Sequence, residues 1–294
     1  MNNKLYEIIK KYHLHPIAYT KKGKVYLVKE KKKTYSIKLN TNNYDIYKYL
    51  DSRGFLNYPQ NYNHKNDNYD ISEYIEDIEI NKEQKINDLI LIIGTLHHKT
   101  SYLRDVNLDD IKRKYEELKN KINNTKNYYL KINDVIDKEL FFSPSMYLLI
   151  RNISLLYYLT DYSLDYLNTW YKEVIKEKSM RISLLHNNVD INHLIINGDR
   201  YLINWDKAYF ENPVYDFLSF YRKYYQYLSL NDALNIYESK NKLSKIEIDF
   251  LLIILSIPKI INITNNTYQD TKIINNEILY LNTIYEYIKK IKAN

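Results

Sequence analysis

The chain changes its hydrophobic period once, near residue 80, and that change limits its fold more than any other feature of the sequence. Before it, GKVYLVKE (23–30) and KKTYSIKL (32–39) are rich in β-branched and aromatic residues and are separated by a polar turn. In the second segment Tyr35, Ile37 and Leu39 alternate with Thr34, Ser36 and Lys38. A period of two places Lys38 on the face opposite the apolar one. NNYDIYKYLDSRG (42–54) reads as a helix ended by Gly54, and NYDISEYIED (68–77) as a last strand running into a polar connector. The first seventy or so residues therefore read as strands with one helix.

From about residue 84 the period is helical. QKINDLILIIGTLHH is apolar almost all round, as a buried helix would be, whereas Leu108, Ile111, Tyr115, Leu118 and Ile122 form a stripe on a charged helix. Ser143 and Pro144 form an N-cap and first-turn pair, Ser244 and Glu247 a capping box, and residues 269–292 a closing amphipathic helix. Residues 182–206 interrupt this pattern: ISLL, HLII and YLIN alternate with polar loops around the turn Asn197 to Asp199, as in a β-hairpin. The expected architecture is α+β and two-lobed, with a small β-rich lobe over 1–76. A larger, mainly helical lobe over 77–294 carries the hairpin 182–206.

A chain of 294 residues, 45% hydrophobic and with 34 Tyr, has enough apolar surface to fold. With no cysteine it has neither disulfides nor thiolate metal sites. The first twenty residues lack the apolar core of a signal peptide, and no run of about 18 apolar residues occurs. A cytoplasmic location with no membrane partner is expected. The charge of +7 is interspersed along the chain and not gathered into a basic arm, so nucleic acid is not an expected partner despite the tyrosines. His97 and His98 lack a set of partner ligands and read as a helix-end feature.

HNNVDINHLI (186–195) resembles the HGDLHPGNIL catalytic loop of the aminoglycoside phosphotransferase and choline kinase-like superfamily, which has a protein kinase-like fold. LINWDKAYFENPVYD (202–216) resembles the family segment VIDWEDAGIGDPAYD without a gap, retaining Trp205, Ala208, Pro213, Tyr215 and Asp216. YSIK, ending at Lys38, looks like the strand that supplies the phosphate-holding lysine. ISEYIED looks like the nucleotide hinge, which assigns Glu73, Tyr74 and Ile75 to nucleotide binding, and IIGTLHH like a helix end that often reads LAxLH. In this resemblance His186, Trp205 and Asp216 are chiefly organising residues.

The departures fall where the family's chemistry occurs. Asn188 stands at the position of the base aspartate, His193 at that of a metal-binding asparagine, and Asn204 at that of the main magnesium-ligating aspartate. A carboxylate attracts a cation by about 4 kcal/mol per unit charge pair at 4 Å and an effective dielectric near 20, which an amide forgoes. The resemblance thus implies ATP as cofactor with magnesium held weakly. It implies a pseudokinase or very weak phosphotransferase that binds a nucleotide, a metabolite or a protein partner. The alternative is an active ATP-dependent phosphotransferase on a small hydroxylated or amino substrate. Asp190 would then be the alternative base and Asp206 the alternative metal ligand, each two residues beyond a substituted acid. The ungapped match around Trp205 opposes a shift of the second loop, since two residues of strand span about 6 to 7 Å. The turn YTKKGKV holds one glycine, Gly23, and the nearest acidic candidate to pair with Lys38 on the following helix is Asp45.

Overall fold

The computed structural model describes residues 3–264 and 266–293. In chain order its elements begin with α1 (Asn3–Lys11), β1 (Ala18–Lys22), β2 (Val25–Lys29), β3 (Thr34–Leu39), α2 (Tyr44–Ser52) and β4 (Tyr69–Glu73). There follow α3 (Lys82–Thr100), β5 (Tyr102–Asp105), α4 (Leu108–Ile136), α5 (Pro144–Arg151), α6 (Ile153–Val174) and β6 (Ser179–Leu185). The chain continues through β7 (Leu194–Asn197), β8 (Asp199–Leu202), β9 (Tyr209–Glu211), α7 (Val214–Tyr224), α8 (Leu230–Glu238), α9 (Lys245–Ser256) and α10 (Thr267–Ala293). An antiparallel sheet followed by a mainly helical region makes this an α+β protein, as the change of period implies. Packing groups residues 1–100 with 184–210 as one compact unit and 101–183 with 211–294 as the other. This grouping does not follow the change of secondary-structure character near residue 80, because α3 and the β7–β8 hairpin fall in the same unit as the N-terminal sheet.

In the first unit the sheet runs β1-β2-β3-β4, with every neighbour antiparallel. Alternation along β3 divides its side chains between two faces. Ile37 joins Val28, Ile71, Leu5, Ile8 and Ile9 in one buried cluster, with Tyr35 and Leu39 packed against it. Helix α1 is a correction to the expectation of a single early helix. Its Leu5, Ile8 and Ile9 fall at helical spacing, and covering the sheet buries each of them, worth roughly 2 kcal/mol apiece. Strand β4 is also shorter than the ten residues expected, ending where Tyr74 donates to the Thr34 carbonyl at 2.8 Å.

The second unit is built on α6, which packs against α4 and α9, with Trp170 stacked on Phe250 at 4.8 Å. Ser143 caps α5 and the Ser244–Glu247 capping box opens α9, both as read from sequence. Glu247 also receives Arg181 at 2.9 and 2.6 Å. Strand β5, paired to β6 from Tyr102↔Ile182 to Asp105↔Ser179, has no periodic signature because all four of its residues are exposed. Of the stripe expected on α4, Ile111 and Ile122 are buried while Leu108, at its first turn, is exposed.

A polar anchor fixes α1 to the turn before β4. Asp67, 4% exposed, accepts from Lys11 at 2.5 Å, from the Tyr12 hydroxyl at 2.8 Å and from the His64 N–H at 2.8 Å. Burial pushes its carboxyl up, but these donors outweigh burial and bring it down to about 2. A folded value below the unfolded one stabilises the native state above the unfolded pKa, and the contribution is lost as pH falls through the folded value. Asp67→Asn should therefore cost about 2 kcal/mol near neutral pH, and the difference from wild type should shrink between about pH 4 and about pH 2. Denaturant unfolding of both proteins across that range measures it; a difference independent of pH would contradict the assignment.

Candidate functional site

The polar face of the sheet lines a cavity of about 420 Å³ in the first unit. The strand register stacks Val25, Lys38 and Asp70 in one cross-strand row and Leu27, Ser36 and Ser72 in the next. The same pleat that buries Ile37 against α1 thus presents Lys38 and Asp70 to the cavity. Tyr74, Ile75, Ile195 and Ile203 add apolar wall, and His193, Asn204, Trp205 and Asp206 complete the lining. The β7–β8 hairpin reaches this position through the Leu202 N–H to the Asn57 carbonyl at 2.8 Å and through Arg200 on Asp88 at 2.7 Å.

Beneath the cavity, His186 is fully buried, its Nε2 3.0 Å from the Ile203 carbonyl and its ring 4.9 Å from that of Trp205. The Trp205 indole donates to the Leu202 carbonyl at 3.1 Å. These contacts fold residues 202–206 into a tight bend, with Asn204 at φ 69° in the left-handed region that asparagine tolerates better than most residues. The bend lets Asn204 and Asp206 both reach Lys38. Its ammonium donates to Asn204 Oδ1 at 2.9 Å and to the Asp206 carboxylate. Lys38 therefore pairs with Asp206, and the acidic partner proposed on α2, Asp45, is not the one it uses.

The hydrogen-bond directions in this network are fixed by elimination. The Asn188 carbonyl, 2.7 Å from His193 Nδ1, can only accept, so Nδ1 carries a proton. His193 Nε2 is 3.1 Å from Asn204 Nδ2, an amide nitrogen that can only donate, so Nε2 accepts. Lys38, Asn204, His193 and the Asn188 backbone form one directed chain. The positions read as base and metal ligands are thereby tied to one another.

Two carboxylates sit beside this chain with opposite electrostatics. Asp70, 9% exposed, accepts from the Asn43 N–H at 2.9 Å, from Asn43 Nδ2 at 2.5 Å and from Asn63. Burial nevertheless pushes it above the ordinary carboxylate value, and the Asp206 charge adds to the rise. Burial would raise Asp206 too, but donors on Lys38, Asn43 and Thr41 and the Lys38 charge outweigh it and hold it low. Asn43 bridges the two, 3.2 Å from Asp206 Oδ1. Sequence reading missed Asp70 and Asn43; the available signal was the alternation of Asp70 and Ser72 with the apolar Tyr69 and Ile71 in YDISE.

Of the remaining residues read from sequence, Glu73, Tyr74 and Ile75 line the cavity, with Glu73 3.4 Å from Lys33. Asn188 and Asp190 do not line it. Asp190 caps the short helix 191–193, accepting from the Asn192 N–H at 2.9 Å. Asp216 is buried in the first turn of α7 in the second unit. Among the described residues no cluster of three or more His, Asp or Glu side chains is arranged to hold a metal, and no helix is long and apolar enough to cross a membrane.

Magnesium requires several oxygen ligands in near-octahedral array. Here Asn204 Oδ1 and Asp206 are both turned onto Lys38, and His193 Nε2 is occupied by an amide. The donor set does not fit magnesium. A nucleotide fits better, since the cavity has the volume of a small-molecule pocket and combines apolar walls with a few polar groups.

Comparison with solved structures identifies the fold. The chain superposes on an aminoglycoside phosphotransferase from Alicyclobacillus acidocaldarius with a TM-score of 0.65 and 12% identity, covering 96% of this chain and 95% of the other. The choline kinase LicA from Streptococcus pneumoniae matches at TM-score 0.51 and 16% identity, over 97% of this chain and 100% of that one. A spectinomycin phosphotransferase solved with ADP and spectinomycin matches at 0.52 and 12%, over 96% and 97%. No protein-family model and no curated protein matches the sequence. The chain has the aminoglycoside phosphotransferase and choline kinase-like fold over nearly its whole length.

The directed chain makes Asn204→Asp informative. A carboxylate can accept from Lys38 but cannot donate to His193 Nε2, so the contact from position 204 to that nitrogen should be lost. The ring-nitrogen chemical shifts of His193, read by NMR, should then change at Nε2 relative to wild type. Unchanged shifts would show that His193 and Asn204 do not share this hydrogen bond.

Proposed function

We propose that the protein is a nucleotide-binding member of the phosphotransferase fold whose capacity for phosphoryl transfer is impaired, a pseudokinase or very slow enzyme. The observation that carries this reading is the closed chain from Lys38 through Asn204 and His193 to the Asn188 backbone. It commits the groups at the metal positions to one another and leaves no carboxylate at the position of the base. Phosphoryl transfer depends mostly on positioning and on metal ions that neutralise the transferring group, and a missing base typically removes a further factor of about 10² to 10⁴. The apolar wall of Val25, Leu27, Ile75 and Ile203 suits a planar base, and Lys38 lies at its polar end.

A second reading is an active ATP-dependent phosphotransferase on a small hydroxylated or amino substrate, and one observation favours part of it. Asp206 faces the cavity, is held ionised and reaches Lys38, so it is a carboxylate in the right region without any shift of the loop. Asp190 lacks that support, because its carboxylate is spent on a helix cap.

Nucleotide titration followed by thermal shift, with magnesium and with EDTA, tests the reading. Saturating ATP at about 100 times Kd should add about 2.7 kcal/mol of stability and raise Tm by several degrees, with little dependence on magnesium. Lys38→Met should weaken the shift. No response to any nucleotide would remove the binding role. Label transfer from ATP to an acceptor, lost in Asp206→Ala, would establish the second reading.

A further inference from the structure

We infer that Lys22 and Lys24, on the β1–β2 turn, supply to the phosphate chain of a bound nucleoside di- or triphosphate the counter-charge for which no magnesium site is built. The inference rests on the nucleotide-binding reading and names how that site holds a polyanion. The turn is tight: Lys22 pairs with Val25, and Gly23 turns the chain at φ 58°. It therefore carries two lysines on either side of its one glycine, and both line the cavity.

Their charge is unspent. Among the described residues neither Lys22 nor Lys24 forms an ion pair or a hydrogen bond, whereas Lys21 lies over the Tyr26 ring at 5.5 Å. The other charges around the cavity are matched in place. Lys38 is held by Asp206 and Glu73 by Lys33, and the amides of Asn43 and Asn63 donate to Asp70. The cations at the cavity without an acidic partner are thus the two ammonium groups of the turn. A cavity with apolar walls and two free cations at one edge takes a flat apolar group joined to an anionic chain. Lysine binds phosphate as a mobile point charge and needs neither close backbone approach nor a metal bridge. One glycine is then enough, since it has only to make the turn.

Binding is measured by calorimetry in EDTA for ATP, ADP, adenosine and inorganic tripolyphosphate, on wild type and on Lys22→Ala/Lys24→Ala. Wild type should bind ATP without magnesium, more tightly than adenosine, and with an affinity that falls as salt rises. The double variant should lose at least about tenfold in ATP affinity while binding adenosine as before, and Lys22→Arg/Lys24→Arg should retain ATP. Both lysines are exposed, so their substitution should leave the fold intact, and unchanged adenosine binding checks this directly. Equal loss of ATP and adenosine, ATP binding that vanishes in EDTA, or an ATP-to-adenosine ratio untouched by the double variant would overturn the inference while leaving nucleotide binding in place. Tripolyphosphate binding as tight as ATP would overturn the nucleotide as ligand. No binding by ATP or adenosine would overturn the nucleotide reading itself.

Discussion

The contact on which the first unit's site depends is that of the Lys38 ammonium with Asn204 and Asp206. It joins β3 to a bend 166 residues further along the chain, and both partners approach from one side because Asn204 adopts a left-handed backbone. Lys38 is 24% exposed and Asp206 32%, so as an ion pair it adds only about 1 kcal/mol or less. Its importance is geometric. A lysine anchored at two points holds the register between sheet and bend, and the orientation of Asn204 in turn fixes the tautomer of His193.

The N-terminus of α2 completes the same arrangement. Asn43, the cap residue, makes no side-chain bond to its own helix; its N–H and its amide both go to Asp70, while the Asn42 side chain accepts from Tyr44. Asp70 therefore serves as a cap supplied from β4. A carboxylate at a helix N-terminus is stabilised by the unsatisfied N–H groups and the helix dipole. Thr41 and Asn43 then reach Asp206, so the helix is tied to the bend through its first turn and not through an acid in its body. The absence of a glutamate on α2 loses its force as a sign of a dismantled site, because a different set of residues performs the tethering.

How much of this was legible in the sequence depends on the range of the interaction. Alternation in TYSIKL foretold which face Lys38 occupies, and the capping pairs Ser143–Pro144 and Ser244–Glu247 announced two helix starts, since each is a local rule. The ungapped segment around Trp205 indicated the fold that the superpositions display. Helix α1 was missed although its spacing was readable, and β5 could not be found because four exposed residues leave no pattern. The pairing of Lys38 with Asp206 was hidden for a physical reason: distance along a strand argued against it, and only the bend at Asn204 removes that distance. Asp70 likewise acquires meaning only from its register with Lys38.

Two of the three departures from the family loop, His193 and Asn204, are not independent of one another. A carboxylate at position 204 would offer acceptors alone and could not donate to His193 Nε2, whose Nδ1 is bound to the Asn188 carbonyl. An amide serves both neighbours because it accepts from Lys38 at one atom and donates to His193 at the other. Conversely, an asparagine at 193 is shorter than the imidazole that spans from the Asn188 carbonyl to the Asn204 amide. Histidine at 193 and asparagine at 204 are therefore matched to one another by hydrogen bonding. A site undergoing simple decay would be left with orphaned polar groups, each costing about 1 to 3 kcal/mol where buried. Here the side chains of His193 and Asn204 satisfy one another, and Lys38 satisfies the remaining amide oxygen.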